Sequence, residues 1–288
     1  MKIIVPATSA NIGPGFDSCG IAVNRYLTIE VEKASEQWEV AHDLGEDIPI
    51  DETNLLITTA LRVKGNLTPH KLVMTSDIPL TRGLGSSSSV IVAGIELANQ
   101  LGKLNLTQEE KLTIATEIEG HPDNVAPAIY GDFVIASFID GEVSAVHHQF
   151  PDCAIIGFIP DEVLSTEKSR EVLPKTLDFK EAVAASSIAN VMIGAILSDN
   201  MQLAGQMIEH DLFHEKYRRK LVPHVEEIRA IGHQQGAYAT YLSGAGPTVL
   251  VLAPREKAEE IYKNIEQLSF IGVTTTFEID RVGVKVEN

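Results

Sequence analysis

Gly83-Leu84-Gly85-Ser86-Ser87-Ser88-Ser89 combines two glycines one position apart with a run of four hydroxyls. Glycines at that spacing let the backbone turn tightly and approach a ligand with no Cβ in the way. An apolar run at helical spacing, Val90 to Gly102, follows directly, so the serines stand where a helix begins. The unpaired N–H groups and positive dipole end of such a helix attract anions. Hydroxyls at Ser86 and Ser87 would add contacts to phosphate or magnesium. A plain Gly/Ser connector is the competing reading. The segment is neither GxxxxGK[ST], because the Lys is missing, nor GxGxxG, because Ser88 takes the third Gly position.

Three other segments weigh against the connector. Near the N-terminus stands Pro6-Ala7-Thr8-Ser9-Ala10-Asn11-Ile12-Gly13-Pro14-Gly15-Phe16-Asp17. A second segment is Glu117-Ile118-Glu119-Gly120-His121-Pro122-Asp123-Asn124-Val125-Ala126-Pro127, and a third is Ser243-Gly244-Ala245-Gly246-Pro247-Thr248. Together and in this order, PATSANIGPGFD, PLTRGLGSSSS, HPDNVAPA and SGAGPT resemble the GHMP kinase superfamily, and in motif detail its homoserine kinases. The match spans nearly the whole chain.

That resemblance implies an α+β fold of two lobes, the first like ribosomal protein S5 domain 2 and the second ferredoxin-like. It implies transfer of the ATP γ-phosphoryl to the side-chain hydroxyl of L-homoserine, with Mg2+ as cofactor. Phosphoryl transfer depends on positioning and on charge stabilisation. The nucleotide loop maps to Pro79, Leu80, Thr81, Arg82, Gly83, Leu84, Gly85, Ser86, Ser87, Ser88 and Ser89, and Asn54 maps near the adenine. The magnesium carboxylate maps to Glu117, with Ser86 beside the ion. Glu119 competes for that role, because this chain lacks a few residues that many relatives carry before the histidine. Neighbours two apart on a helix point about 200° from one another, so the two glutamates cannot both face one ion.

For a zwitterionic substrate the family match gives Asp17 for the ammonium, with Asn11 nearby, and Arg170 and Arg218 for the carboxylate. Arg219 is the competing candidate, but the R-x-x-L-x-P spacing selects Arg218. A guanidinium suits the task because its planar fork binds a carboxylate at two points. Thr166, His121 and Gly244 complete the substrate pocket expected from the match. His121 stands in no HExxH or paired Cys/His pattern of a zinc site. Asp123-Asn124 bears on the mechanism, since many GHMP kinases carry an Asp base near this point. An Asn cannot take a proton at neutral pH, so Asn124 would orient the hydroxyl while Asp123 remains a possible base. Arg170 belongs to the same catalytic group. The rival readings are a kinase for another small alcohol, such as mevalonate, and a binding relative that has lost turnover.

Certain elements must position these residues. Lys2 to Val5 reads as a strand that Pro6 interrupts, and Ile21 to Glu32 alternates with the period of a half-buried strand. Asn54 to Arg62 suits a helix and Lys71 to Thr75 a strand. The helix after the serines stops at Gly102, and Thr107 with Glu110 makes a capping box for a helix to Glu119. Gly131–Phe138 and Glu142–Val146 form a hairpin around Asp140-Gly141. After a boundary near residue 150 come a strand (Ala154–Ile159), helices (Phe179–Leu197, Val225–Gln235), and a closing run of strand, SGAGPT turn, strand, helix and two strands. The expected lobes are residues 1–150, binding ATP, and 151–288, completing the substrate site.

Composition bounds the rest. Of 288 residues, 44% are hydrophobic and 22% charged, as in a globular chain. Lys plus Arg is 23 against 40 for Asp plus Glu, a formal charge of −17, which argues against nucleic acid as a partner. A local cluster of arginines and N–H groups still admits a small anion. Cys19 and Cys153 are too few for a disulfide framework. No run approaches the roughly 18 uninterrupted apolar residues of a membrane span. The expectation is a cytoplasmic enzyme with no membrane partner, homodimeric by the family resemblance.

Overall fold

The computed structural model describes residues 1–287; Asn288, the last residue of the expected second lobe, lies outside the described residues. The chain begins with β1 (Lys2–Ala10), β2 (Cys19–Ala34), β3 (Glu39–Ala41), α1 (Leu55–Val63) and β4 (His70–Ser76). Then come α2 (Ser86–Gly102), α3 (Gln108–Glu119), α4 (Pro122–Tyr130), β5 (Phe133–Ile139) and β6 (Glu142–His148). The second half holds β7 (Ala154–Pro160), α5 (Thr166–Glu171), α6 (Phe179–Leu197), α7 (Met201–Ile208), α8 (Glu215–Arg218) and α9 (His224–Gln235). It closes with β8 (Ala239–Leu242), β9 (Val249–Ala253), α10 (Ala258–Glu266), β10 (Gly272–Phe277) and β11 (Lys285–Glu287).

The first sheet has seven strands, with β11, β1, β2, β4 and β3 side by side, β5 paired to the start of β2, and β6 to β5. Pro6 does not end β1. The strand runs on to Ala10 through a register shift between Pro6 and Ala7, a bulge where a sheet tolerates a missing N–H. On β2, Leu27 and Ile29 are buried while Glu30 is exposed, as the alternation requires. α2 is buried along most of its length, from Ser88 to Asn99. α3 starts with the expected box: Glu110 N donates to Thr107 Oγ1 at 3.1 Å, and Thr107 N to Glu110 Oε2 at 2.9 Å. Asp140 and Gly141 both take positive φ, 54° and 82°, which a two-residue hairpin turn of the I′ type demands.

The second sheet is antiparallel with the order β10-β7-β9-β8. Numbered within the lobe this is 4-1-3-2, the split βαβ arrangement of ferredoxin-like folds. Period-two alternation gives it two apolar faces. Ile156, Phe158, Val249 and Val251 pack against Val225 and Ile228 of α9 and Ile261 and Ile265 of α10. Ile155, Leu250 and Leu252 join the core of the first sheet, together with Met192 and Ile196 of α6. The chain's end departs from the expected division at residue 150, because β11 returns to pair with Lys2–Ile4 and covers an edge that β1 would otherwise expose. α6 has the length and apolar composition of a membrane-spanning helix, and 22% of its apolar window is buried within the fold, at Ala185, Met192, Ala195 and Ile196.

Candidate active site

The serine run becomes the first turn of α2. Gly85 is its N-cap in the left-handed conformation at φ 69°, and no side chain caps the helix. Ser89 N is the first to bond back, to Gly85 O at 2.9 Å, so the N–H groups of Ser86, Ser87 and Ser88 stand at the uncapped end. Glycine is required at positions 83 and 85 by two separate crowding contacts. A Cβ on Gly83 would lie 2.3 Å from Ser243 O, and one on Gly85 would lie 2.1 Å from Thr8 Oγ1. The loop is therefore pressed between the first strand and the SGAGPT turn.

Hydroxyls hold it there. Tyr241 and Ser9 oxygens are 3.0 Å apart, Ser9 and Ser243 oxygens 2.8 Å, and Ser243 donates to Gly83 O at 2.6 Å. Arg82 spans the lobes as well: its Nε donates to Pro160 O at 2.8 Å and its Nη2 to Asp161 O at 2.5 Å. Thr81, Gly83, Gly85, Ser86, Ser87 and Ser88 line the cleft. Pro79, Leu80 and Arg82 instead face a neighbouring groove with Ile159 and Val273. Leu84 is in the core, and Ser89 Oγ bonds back to Ser86 O. The sequence assigned the whole run 79–89 to the nucleotide; a loop that reverses direction can present only part of itself to one side.

Across the cleft, Asp17 meets Arg170 at two points: Arg170 Nη2 to Asp17 Oδ1 at 2.6 Å and Nη1 to Oδ2 at 3.1 Å. Asp17 takes φ 53°, held by its N–H donating to Asn11 Oδ1 at 3.0 Å. Arg170 rides on α5, which Ser165 caps by accepting from Lys168 N. Arg218 is almost wholly buried; its Nε donates to Ser169 O at 3.0 Å and its Nη1 to Gly244 O at 3.0 Å. Burial, then the neighbouring charge of Arg170, bring its pKa down to about 10. Both guanidinium carbons lie 5.5 Å from the centre of the Phe16 ring, a cation–π contact for each. Sequence reasoning passed over Phe16, although it adjoins Asp17. It also passed over His214, whose buried Nδ1 lies 3.1 Å from Arg218 Nη1, because no motif surrounds it.

The HPDN motif opens α4, a helix the hydrophobic pattern did not reveal, with Pro122 in its first turn. His121 Nδ1 lies 2.6 Å from Asp123 Oδ1, which also accepts from Asn124 Nδ2 at 3.1 Å. Burial pulls the His121 pKa down. The Asp123 hydrogen bond and the charges of Asp123, Asp17 and Glu119 outweigh it, and the net shift is upward. Glu119, at the end of α3, accepts from Ser88 Oγ at 2.8 Å, and burial raises its pKa. Asn11, Asp17, Glu119, His121, Asp123, Asn124, Thr166, Arg170, Arg218 and Gly244 all line the one cleft.

Residues 54–132 match the GHMP kinases N terminal domain and residues 192–269 the GHMP kinases C terminal. A homoserine kinase from Enterococcus faecalis is 62% identical over 286 residues, covering 99% of this chain and 100% of that one. The chain belongs to the GHMP kinase family, among its homoserine kinases. A solved structure from Listeria monocytogenes superposes with a TM-score of 0.90 at 53% identity, covering 100% of this chain and 99% of that one. A homoserine kinase from Cytophaga hutchinsonii gives 0.86 at 26%, covering 99% and 96%.

Within this family member two expected positions move. Glu117 is exposed on α3, whereas Glu119 reaches the cleft, so the carboxylate beside the serines is Glu119. The helix turns residues two apart to different sides, and the fold fixes which side faces α2. Asn54 is not among the residues lining the cleft. It caps α1, accepting from Leu56 N at 2.9 Å, and its amide nitrogen donates to Pro49 O at 2.6 Å. Both ends of its side chain thus hold local backbone.

Proposed function

We propose that the chain transfers the γ-phosphoryl group of ATP to the side-chain hydroxyl of L-homoserine. The product is O-phospho-L-homoserine, a precursor in threonine biosynthesis. The observation that carries this reading is one cleft containing the uncapped start of α2, the Asp17 carboxylate and the Arg170 and Arg218 guanidinium groups. The N–H groups and hydroxyls of Ser86, Ser87 and Ser88 suit the phosphate chain. Asp17, near the His121–Asp123 pair, suits an ammonium, and the two arginines suit a carboxylate. Mevalonate carries no ammonium, so the carboxylate at Asp17 favours an amino acid over that alternative.

Glu119 and the hydroxyls of Ser86 and Ser88 offer hard oxygen donors of the kind magnesium prefers, and they would hold it. Bound there, the ion would offset the charge on the phosphate oxygens. The homoserine oxygen attacks the γ-phosphorus as the bond to the β–γ bridging oxygen breaks, and the hydroxyl proton passes to a phosphoryl oxygen. No strong side-chain base is needed for a loose transition state, and the Asn124 amide cannot take the proton.

A cytoplasmic homodimer goes with this reading. The apolar side chains of Phe179, Val183, Val191 and Leu197, exposed on α6, support a second copy as partner. Sedimentation would measure it.

The deciding experiment is a coupled ADP-release assay with Mg-ATP, comparing L-homoserine, L-serine, L-threonine and mevalonate, with ³¹P NMR of the product. Selective turnover of homoserine to a phosphate monoester is expected. Folded enzyme that binds ATP and turns over none of the four would overturn the reading in favour of another alcohol or a binding role.

A further inference from the structure

Thr8 stands in the first motif yet is not among the residues lining the cleft. It is fully buried on β1, just beyond the bulge at Pro6 and Ala7. Its N–H donates to Leu84 O at 3.1 Å, fastening the strand to the glycine loop. Its hydroxyl donates to Asn124 Oδ1 at 2.8 Å across 116 residues of chain. The missing Cβ of Gly85 would fall 2.1 Å from Thr8 Oγ1 and 3.0 Å from Asn124 Oδ1, so the loop lies directly on this hydrogen bond.

The two ends of the Asn124 amide are assigned by chemistry. The Asp123 carboxylate can only accept, so the group 3.1 Å away is the amide nitrogen. The carbonyl oxygen then faces Thr8, which has a proton to give. With the carbonyl engaged, the amide keeps one N–H beyond its bond to Asp123. Asn124 does line the cleft, so what it offers an oxygen there is a donor.

We infer that Thr8 is a positioning residue: its hydroxyl, together with Asp123, locks the Asn124 amide so that the transfer site meets an N–H and not a C=O. The inference rests on the phosphotransfer reading and extends it to a residue that touches no substrate. Thr8→Val keeps the shape and removes the donor, and Thr8→Ser keeps the donor and removes a methyl. An unsatisfied Asn124 carbonyl would let the amide rotate, and a lost buried hydrogen bond corresponds to a fall in kcat of roughly 10- to 100-fold. KM for ATP and for homoserine should stay within about threefold, since an interaction made in the transition state moves kcat. Thr8→Ser should recover most of the loss.

The double-mutant cycle with Asn124→Ala is decisive. If Thr8 acts through Asn124, Thr8→Val adds little to the loss already caused by Asn124→Ala. A full additional loss, or a Thr8→Ser variant worse than Thr8→Val, would assign Thr8 to packing and overturn the inference. A readout independent of turnover is the side-chain amide signal of Asn124 in ¹H–¹⁵N spectra, identified by its disappearance in Asn124→Asp. It should shift in Thr8→Val and stay near its place in Thr8→Ser; an unmoved signal in Thr8→Val overturns the inference even if homoserine proves not to be the substrate. Should Thr8→Val not fold, Thr8→Cys supplies the same comparison with a weaker donor of similar size.

Discussion

Asp17 and Arg170, 153 positions apart, grip one another at two points, and in doing so each satisfies a charge complementary to one end of an amino acid. Both side chains are about one-third exposed, 33% and 37%, so the pair adds little to stability. An incoming zwitterion has to compete with it. Asp17→Asn should raise KM for homoserine by on the order of 100-fold with a thermal midpoint within a few degrees of the parent, because a charge-assisted contact to the substrate ammonium is lost while only a part-exposed pair is broken. The charge-swapped double variant, Asp17→Arg with Arg170→Asp, can re-form a pair but should not recover the KM. Steady-state kinetics and melting curves measure both; recovery by the swap would mean that the pair is a structural brace alone.

Glu119, not Glu117, should govern magnesium dependence. Glu119→Gln is expected to raise the Mg2+ concentration needed for half-maximal activity by about tenfold or more, while exposed Glu117→Gln stays near the parent. The Glu119 pKa is raised by burial, so ionising this carboxyl costs more in the folded chain than in the unfolded one. The stability that follows is fully present below the unfolded-state value and lost as pH rises through the raised one. Without metal, Glu119→Gln should therefore melt above the parent at pH 8 and close to it at pH 4. A variant no more stable at pH 8 would contradict the burial argument.

His121 should titrate above its ordinary 6.5, and Asp123 is the cause open to test. In Asp123→Asn the hydrogen bond to a carboxylate and its charge disappear while burial remains, so the pKa should fall. The His121 contribution to stability is complete below 6.5 and is lost as pH rises through the raised value. NMR titration of the imidazole in both proteins gives the two values directly. Equal values would show that Asp123 does not set the charge of this imidazole.

Gly85→Ala should damage nucleotide binding and stability together. The position needs φ 69°, and its Cβ would stand 2.1 Å from Thr8 Oγ1 within the buried contact to Asn124. Left-handed backbone costs a non-glycine residue about 1 kcal/mol and forced crowding about 1–3 more. Urea unfolding and KM for ATP should both worsen. A variant with the parental midpoint would mean that the loop can move away from β1.

The local signals in the sequence were strong where one physical cause dominated. Thr107 and Glu110 capped α3, Asp140-Gly141 turned the hairpin, and the alternation on β2 placed Leu27 and Ile29 inside. Pro6 misled because a bulge, which only strand pairing creates, absorbed it. α4 was hidden because HPDNVAPA carries two prolines and little periodicity, although its first proline sits where a helix tolerates one.

Four segments far apart in the chain, with their glycines, serines, arginines and acids, determined by themselves that this is a phosphate-handling member of its family and which residue types would meet. Residue type and spacing suffice for that, because they set backbone freedom and hydrogen-bonding capacity. Only the tertiary structure decided which of two glutamates on α3 faces Ser88, that Asn54 caps α1 away from the cleft, and that Thr8 fixes the Asn124 amide. The first depends on how α3 is rotated against α2 and the last on a partner 116 residues away, while Asn54 stays out of the cleft because Leu56 N and Pro49 O occupy its side chain. Sequence spacing does not carry that information; packing does.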